Sequence, residues 1–348
     1  MKHFKQWWWK ITGILLLIYG FTFGMLIPLK PGIVTAEPFT ATLGKPLQLN
    51  VQGYNTYYTT AADFRAWLKL DSFSIAASNI EVQSDQQVSL TFNLPENLPS
   101  TIEERSPNLI IDNNVDGTHL LPSAVYLNDS KDTLMAQEQW DLNAISSLNK
   151  KSGIYFPYRN TLYETIRNTY FHVSLWFAMM FLFIGAFVQS IKYLSGKQLE
   201  RDYKASSLTS MGVLFGILGL LTGAVWAKHT WGAYWSWDIK QNMTAISLLI
   251  YLAYFVLRAS IPDVDKKARL SAVYNIFAFV TIIPLIYVIP RLFSSLHPGN
   301  GGNPAFGSQD LDNTMRLIFY PIIIGWTLIG FWIAQLNYRM KRLGEKLY

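Results

Sequence analysis

Apolar residues in this chain gather in long uninterrupted runs, with polar, basic and turn-forming residues between them. Six runs of roughly 20 residues, at about 8–29, 171–190, 207–227, 242–258, 271–290 and 315–335, have the length that carries a helix across the hydrocarbon core of a bilayer. The pattern changes between the first run and the second. LQLNV, VSLTFNL and NLIIDNN alternate or are β-rich, and Pro, Gly, Asn and Asp separate them, which predicts short strands joined by turns. These strands predict a β-sandwich-like domain over about 35–135. The stretch after it, with WDLNAISSLNKKSG, reads as a connector with a helical part. The predicted fold is a mainly α integral membrane protein, with six transmembrane helices and an inserted extracytoplasmic β-sandwich-like domain. Its parts are an N-terminal anchor (1–30), the inserted domain and connector (31–165), and a five-helix membrane domain (166–348). The first run has the basic start of a signal peptide. Its length and the weak small-residue pattern of KPGIVTAEPF favour a retained anchor.

Charge gives the runs an orientation. Charged residues make up 15% of the 348, against roughly 25% in soluble domains. The net charge of +6 invites a nucleic-acid reading, but the positive residues flank the apolar runs. They fall in four clusters: Lys2, Lys5 and Lys10; Lys192, Lys197, Arg201 and Lys204; Arg258, Lys266, Lys267 and Arg269; and Arg339, Lys341, Arg342 and Lys346. With six spans, all four share one side, which the positive-inside rule makes cytoplasmic. Residues 30–165, 228–241 and 291–314 then lie outside. No nucleic-acid partner is expected; membrane lipids are. The chain has no cysteine, which excludes disulfides, thiolate metal sites and a CxxCH haem attachment.

The candidate chemistry falls on the outer side. In WAKHTWGAYWSWD, three of the chain's 12 tryptophans occupy seven residues. Interfacial belts collect Trp and Tyr, but they spread their rings over many helices. Trp231, Tyr234, Trp235 and Trp237 in one short loop make a platform for a planar apolar ligand. Asp238 is placed to cap the fourth helix. Of five histidines, His3 lies in the basic tail and His119 suits a turn or surface in the inserted domain. His172, His229 and His297 fall at the outer ends of spans, and no histidine is expected in the interior of one. Singly, each is an ordinary polar group at the interface. His172 and His297, however, share one depth with the tryptophan loop, and two imidazoles facing one plane are a way to hold haem iron. Lys228, Lys240, Arg291 and Arg316 are cations for haem propionates or for lipid phosphates, with Arg291 and Arg316 favoured. HPGNGGNPAFG lacks the Lys-Ser/Thr ending of a phosphate loop and reads as a tightly turned outer loop.

The stretch Trp226 through Asp238 resembles the WGxxWxWD signature of the haem-handling, WWD-domain membrane proteins of cytochrome c maturation. YFHVSLWFAMM and LFSSLHPG resemble the two histidine segments of the CcmC family. The resemblance covers about 165–340 and, by position, the first span. It implies that haem b is held non-covalently and transiently at the outer face of the bacterial cytoplasmic membrane. His172 and His297 would be the axial ligands, and Trp226, Trp231, Gly232, Tyr234, Trp235, Trp237 and Asp238 the binding loop. It also implies two partners: the haem chaperone CcmE, and the ABC-type complex CcmAB. The chain departs from the family at Ser174, where a Pro is usual, at Ile239-Lys240-Gln241-Asn242, and in its enlarged first outer loop. The expected role is haem presentation without bond-making catalysis. The alternative is a haem-attaching synthase subunit of the second assembly pathway, whose members usually carry more membrane histidines and more spans. A small-solute transporter is disfavoured, because transporters hide ionisable groups mid-membrane and these runs hold almost none.

Overall fold

The computed structural model describes residues 4–99, 102–129, 140–142, 145–160, 162–297 and 311–347. His3 and most of the glycine-rich HPGNGGNPAFG loop lie outside them. The chain forms two compact units, one of residues 1–27 and 164–348, the other of 28–163.

The first unit is a helical bundle. Its helices are α1 (Phe4–Leu26), α2 (Ser174–Gly196), α3 (Leu199–Trp231), α4 (Ile239–Ser260), α5 (Val264–Ile283) and α6 (Asn313–Leu347). All six are long and apolar enough to cross a membrane, so this is a multi-pass membrane protein. α2 packs against α3, α5 and α6, α1 lies along α6, and α4 lies against α3 and α5. Small residues let backbones approach, as membrane bundles require. A Cβ on Gly20 of α1 would stand 2.0 Å from Ile322 of α6. At the bundle core, Phe183 and Tyr251 stack with ring centroids 3.8 Å apart.

The helices are longer than the apolar runs. α3 begins at Leu199, directly after the left-handed Lys197 that ends α2, and stops where Gly232 turns left-handed at φ +83°. Hydropathy marks the lipid-facing part of a helix, whereas capping and turns set its ends. Helical backbone also precedes α2, as a 3₁₀ turn at Tyr163–Arg167 and a π turn at Thr169–Val173. His172 therefore sits within the helical stretch Tyr163–Gly196, in the π turn that precedes α2.

The second unit is a sandwich of antiparallel sheets. Its strands are β1 (Gly32–Glu37), β2 (Thr40–Thr42), β3 (Pro46–Tyr54), β4 (Arg65–Leu70), β5 (Phe73–Ala76), β6 (Asn79–Ser84), β7 (Gln87–Asn93), β8 (Asn108–Asn113), β9 (Gly117–Leu121), β10 (Tyr126–Asn128) and β11 (Asp141–Leu142). One sheet has the order β1-β3-β7-β6, the other β11-β5-β4-β8-β9, and β2 pairs with β10 in parallel. Alternate residues of β3 (Leu47, Leu49 and Val51) point into a core shared with Leu68, Leu109 and Ile111 of the other sheet, as period-two patterning dictates. Among its described residues the connector after this core holds no helix before Tyr163. Its Asn149 donates from both backbone and side-chain amides to the buried Asp112 (2.8 and 2.9 Å). Those bonds to the sheet hold the segment extended against its local preference.

Candidate functional site

The site lies in the helical unit, at the C-terminal end of α3 and the N-terminal end of α4. Asp238 caps α4 by accepting from the Lys240 N–H (2.9 Å), as an N-cap aspartate should. Gln241 accepts from the Ser236 N–H at 2.9 Å, and Asn242 donates to the Trp237 carbonyl at 2.8 Å. The aromatic loop is therefore pinned to the first turn of α4. Trp237 takes a left-handed backbone at φ +57°.

The buried Asp238 carboxylate is the hub of this end. Besides capping α4, it accepts from the Leu296 N–H (2.8 Å), the Ser295 hydroxyl (3.0 Å) and the His297 Nδ1 (2.9 Å). Burial alone pushes this carboxyl up. The donors from Leu296, Lys240 and Ser295, with His297 nearby, outweigh it and hold the group below the usual carboxylate range. Burial likewise pushes His297 below the ordinary imidazole value, despite the attraction of Asp238. At neutral pH the pair is a carboxylate and a neutral imidazole. Since a carboxylate only accepts, Nδ1 carries the proton and Nε2 the lone pair.

His172 reaches the same arrangement from another element. Its π turn presents the ring to α3, where Nδ1 lies 2.8 Å from the Gly219 carbonyl oxygen and 3.4 Å from Thr222 Oγ1. A carbonyl also only accepts, so here too Nδ1 is the donor and Nε2 holds the lone pair. The Trp176 indole N–H, one helical turn on, donates to that Nε2 at 3.3 Å. The ring fits because α3 offers glycine: a Cβ on Gly223 would lie 2.5 Å from His172 Cε1, and one on Gly219 would lie 2.9 Å from Trp176.

His172 and His297 line one cavity of about 170 Å³. Its wall includes Trp176, Met180, Trp235, Lys240, Gln241 and Tyr287. A second π turn, at Pro284–Val288, supplies Ile286 and Tyr287, so both π turns among the described residues face this space, as such turns often do at functional sites. The tryptophans divide by position. Trp235 faces the cavity. Trp226 and Trp231 pack edge to face with centroids 4.9 Å apart, and Trp231 lies 4.7 Å from the His297 ring. Trp237 is 79% exposed, and Tyr234 is exposed as well. Gly232 closes α3 in a left-handed turn, donating to the Lys228 carbonyl at 3.1 Å and accepting from the Lys228 ammonium at 2.9 Å. His229 is exposed and outside the cavity.

Arg291 and Arg316, the cations favoured on sequence grounds, do not line the cavity, whereas Lys240 does. Lys240 was among the four candidate cations without being favoured; Trp176, Gln241, Tyr287 and Gly223 are the residues that sequence reasoning passed over. Two had a signal: Trp176 follows His172 by four, and Gly216, Gly219 and Gly223 make a small-residue stripe on α3. Among the described residues no group of three His, Cys, Asp or Glu has the geometry to chelate a bare metal ion. Two imidazoles with oriented Nδ1–H groups and Nε2 lone pairs, that of His172 met here by the Trp176 indole N–H at 3.3 Å, match the donor set of a haem iron, which needs only axial ligands.

The model of the CcmC family, heme exporter protein C, matches residues 150–347. The heme exporter protein C of Bradyrhizobium diazoefficiens is 27% identical over 169 residues, 47% of this chain and 62% of that protein. That of Haemophilus influenzae is 27% identical over 139 residues, 40% of this chain and 56% of that protein. The cytochrome c biogenesis protein CcsA of Helianthus annuus is 30% identical over 142 residues, 41% of this chain and 40% of that protein. The chain thus spans about three-fifths or less of the length of these relatives.

Proposed function

The chain belongs to the CcmC family, heme exporter protein C, and on that premise we propose that it carries haem b as cargo in the cavity of His172 and His297. In this reading it presents the haem at the outer face of the cytoplasmic membrane to a chaperone of the CcmE kind, working beside an ABC-type complex such as CcmAB. It makes and breaks no covalent bonds itself. The observation that carries the reading is the matched pair of imidazoles: two histidines far apart in sequence line one cavity, each with Nδ1 committed to an oxygen and its lone pair on Nε2, where an iron would replace the long Trp176 contact of His172. Haem brings an iron centre and two carboxylates to be recognised. His172 and His297 serve the iron, and Trp235, Trp176 and Tyr287 offer apolar wall to the ring. Lys240, the ammonium group among the lining residues, serves a propionate.

A cavity of about 170 Å³ is smaller than the roughly 300 Å³ of pockets that engulf a ligand. Cargo held partly outside the protein suits release to a partner. The exposed Trp237 and Tyr234 then form the rim that the partner meets.

The test is optical. Detergent-purified protein from haem-replete cells shows a Soret band; His172→Ala and His297→Ala each weaken or shift it, and His119→Ala leaves it unchanged. Colourless protein, or spectra indifferent to both substitutions, overturns the reading. Similarity to CcsA supports a second reading, a synthase subunit. Co-expression separates them: covalent haem appears on the chaperone if the protein presents haem, and on apocytochrome if it attaches it.

A further inference from the structure

The helical unit has a second recess, at the end away from the histidines. Lys204 on this recess and Ala224 on the haem-side cavity are both on α3, and their spacing in sequence puts them about 30 Å apart along the helix axis. The recess is a groove of about 900 Å³. Leu208 and Phe331 contribute its apolar part, and Lys204, Tyr338, Arg339 and Arg342 its polar mouth.

The cations at this end are not equivalent. Arg258 pairs with the buried Asp202 through two contacts of 2.6 and 2.8 Å, Lys341 donates to Ser206 at 2.7 Å, and Lys204 pairs with Glu200 at 2.5 Å. Arg339 and Arg342, both exposed, make no ion pair within 4 Å among the described residues; Arg342 contacts the Tyr338 hydroxyl at 3.4 Å and feels the Glu200 carboxylate at longer range. Beside them Gln335 lines the groove, and its buried Oε1 has no hydrogen-bond partner. A buried acceptor without a donor is costly, so a hydroxyl arriving with a ligand would relieve it. Two guanidiniums ask for a phosphate, the orphan carbonyl asks for a hydroxyl, and the apolar part asks for acyl chain.

We propose that this groove is a binding site for one anionic phospholipid of the phosphatidylglycerol type. The phosphate pairs with Arg339 and Arg342, a headgroup hydroxyl donates to Gln335 Oε1, and a chain lies along Leu208 and Phe331. Basic pockets between membrane helices recognise anionic headgroups in this way. Phosphatidylethanolamine is excluded by its ammonium group, which meets a cationic mouth. Haem is disfavoured because the lining has no imidazole or thioether.

The experiment is native mass spectrometry of the full chain, with phosphatidylglycerol or phosphatidylethanolamine added. The wild type retains one phosphatidylglycerol and sheds phosphatidylethanolamine. The Arg339→Gln/Arg342→Gln protein keeps its haem Soret band and binds phosphatidylglycerol roughly thirtyfold more weakly, the effect of two lost headgroup cations. An equal loss in Lys266→Gln/Arg269→Gln, which removes exposed basic residues elsewhere, would show general charge attraction and overturn the proposal. So would displacement of the lipid by millimolar inorganic phosphate, which marks a free-anion site, or by haemin in a His172→Ala/His297→Ala background, which marks a second haem site. A second measurement uses the unaltered protein. Phosphatidylglycerol carrying a photoreactive acyl chain labels the Phe331–Leu343 stretch of α6 above the lipid-facing residues of α4 and α5, and even labelling overturns the assignment.

Discussion

At the scale of single residues, the site depends on which imidazole nitrogen holds its proton. His172 gives its Nδ1–H to a backbone carbonyl and His297 to a carboxylate; both acceptors are fixed, so both Nε2 lone pairs are too. The support for His172 is a gap rather than a contact. A methyl group on Gly223 would overlap the imidazole at 2.5 Å, and the ring cannot move back without leaving the Gly219 carbonyl. Gly223→Ala is therefore expected to lower haem affinity by about 10- to 100-fold, the usual effect of disturbing a ligand's orientation. Gly196→Ala, where an added Cβ meets nothing, serves as the control. Haem titration of the two variants checks this, and an unshifted Gly223→Ala curve would mean that the ring is free to relocate. The glycine stripe on α3 was visible in the sequence, but its partner was not. The histidines and the tryptophan motif stood out there, but a glycine matters only through what packs against it.

At the scale of elements, β9 shows the same contrast. A surface or turn position was expected for His119, yet the ring is buried, stacks on Tyr58 at 6.1 Å, and has no hydrogen-bond partner on either nitrogen among the described residues. Alternation along β9 sends Gly117, His119 and Leu121 inward, a period-two signal readable in GTHLL once the strand is recognised. Burial, outweighing the attraction of Asp112, lowers this histidine to about 4. The unfolded chain, with an ordinary value near 6.5, takes up the proton first as pH falls. The stability of this unit is thus full above about pH 6.5 and declines as pH falls toward 4, by about 3 kcal/mol in all. Unfolding of the full chain, measured against pH, is expected to show this slope in the wild type and a flatter one in His119→Phe. Parallel slopes would refute the assignment. The helices were legible as spans because apolar length alone marks them. The two π turns were not, because they depend on where a backbone register slips, and both serve the cavity.

At the scale of the whole molecule, among the described residues those lining the cavity come from positions 172–297. Arg167 ties the flanks of the inserted unit together, donating to the Gly24 and Ile27 carbonyls at 2.7 and 2.8 Å. Replacing Pro28–Tyr163 by a short Gly/Ser linker is accordingly expected to preserve the Soret band while changing delivery to the chaperone. Loss of the band in a protein that remains folded would assign the β unit a part in holding haem. By itself, the sequence determined that six helices enter a membrane, that a β-rich unit interrupts them, and that aromatic rings and two histidines share an interface. Length, alternation and composition are local quantities, and each can be read within a window of residues. Only the tertiary structure decided that His172 and His297 open onto one cavity, that Lys240 rather than Arg291 or Arg316 faces it, and that Asp238 orients a histidine 59 positions away. Those facts depend on the crossing of helices and the direction of single side chains, and no window along the chain contains both partners.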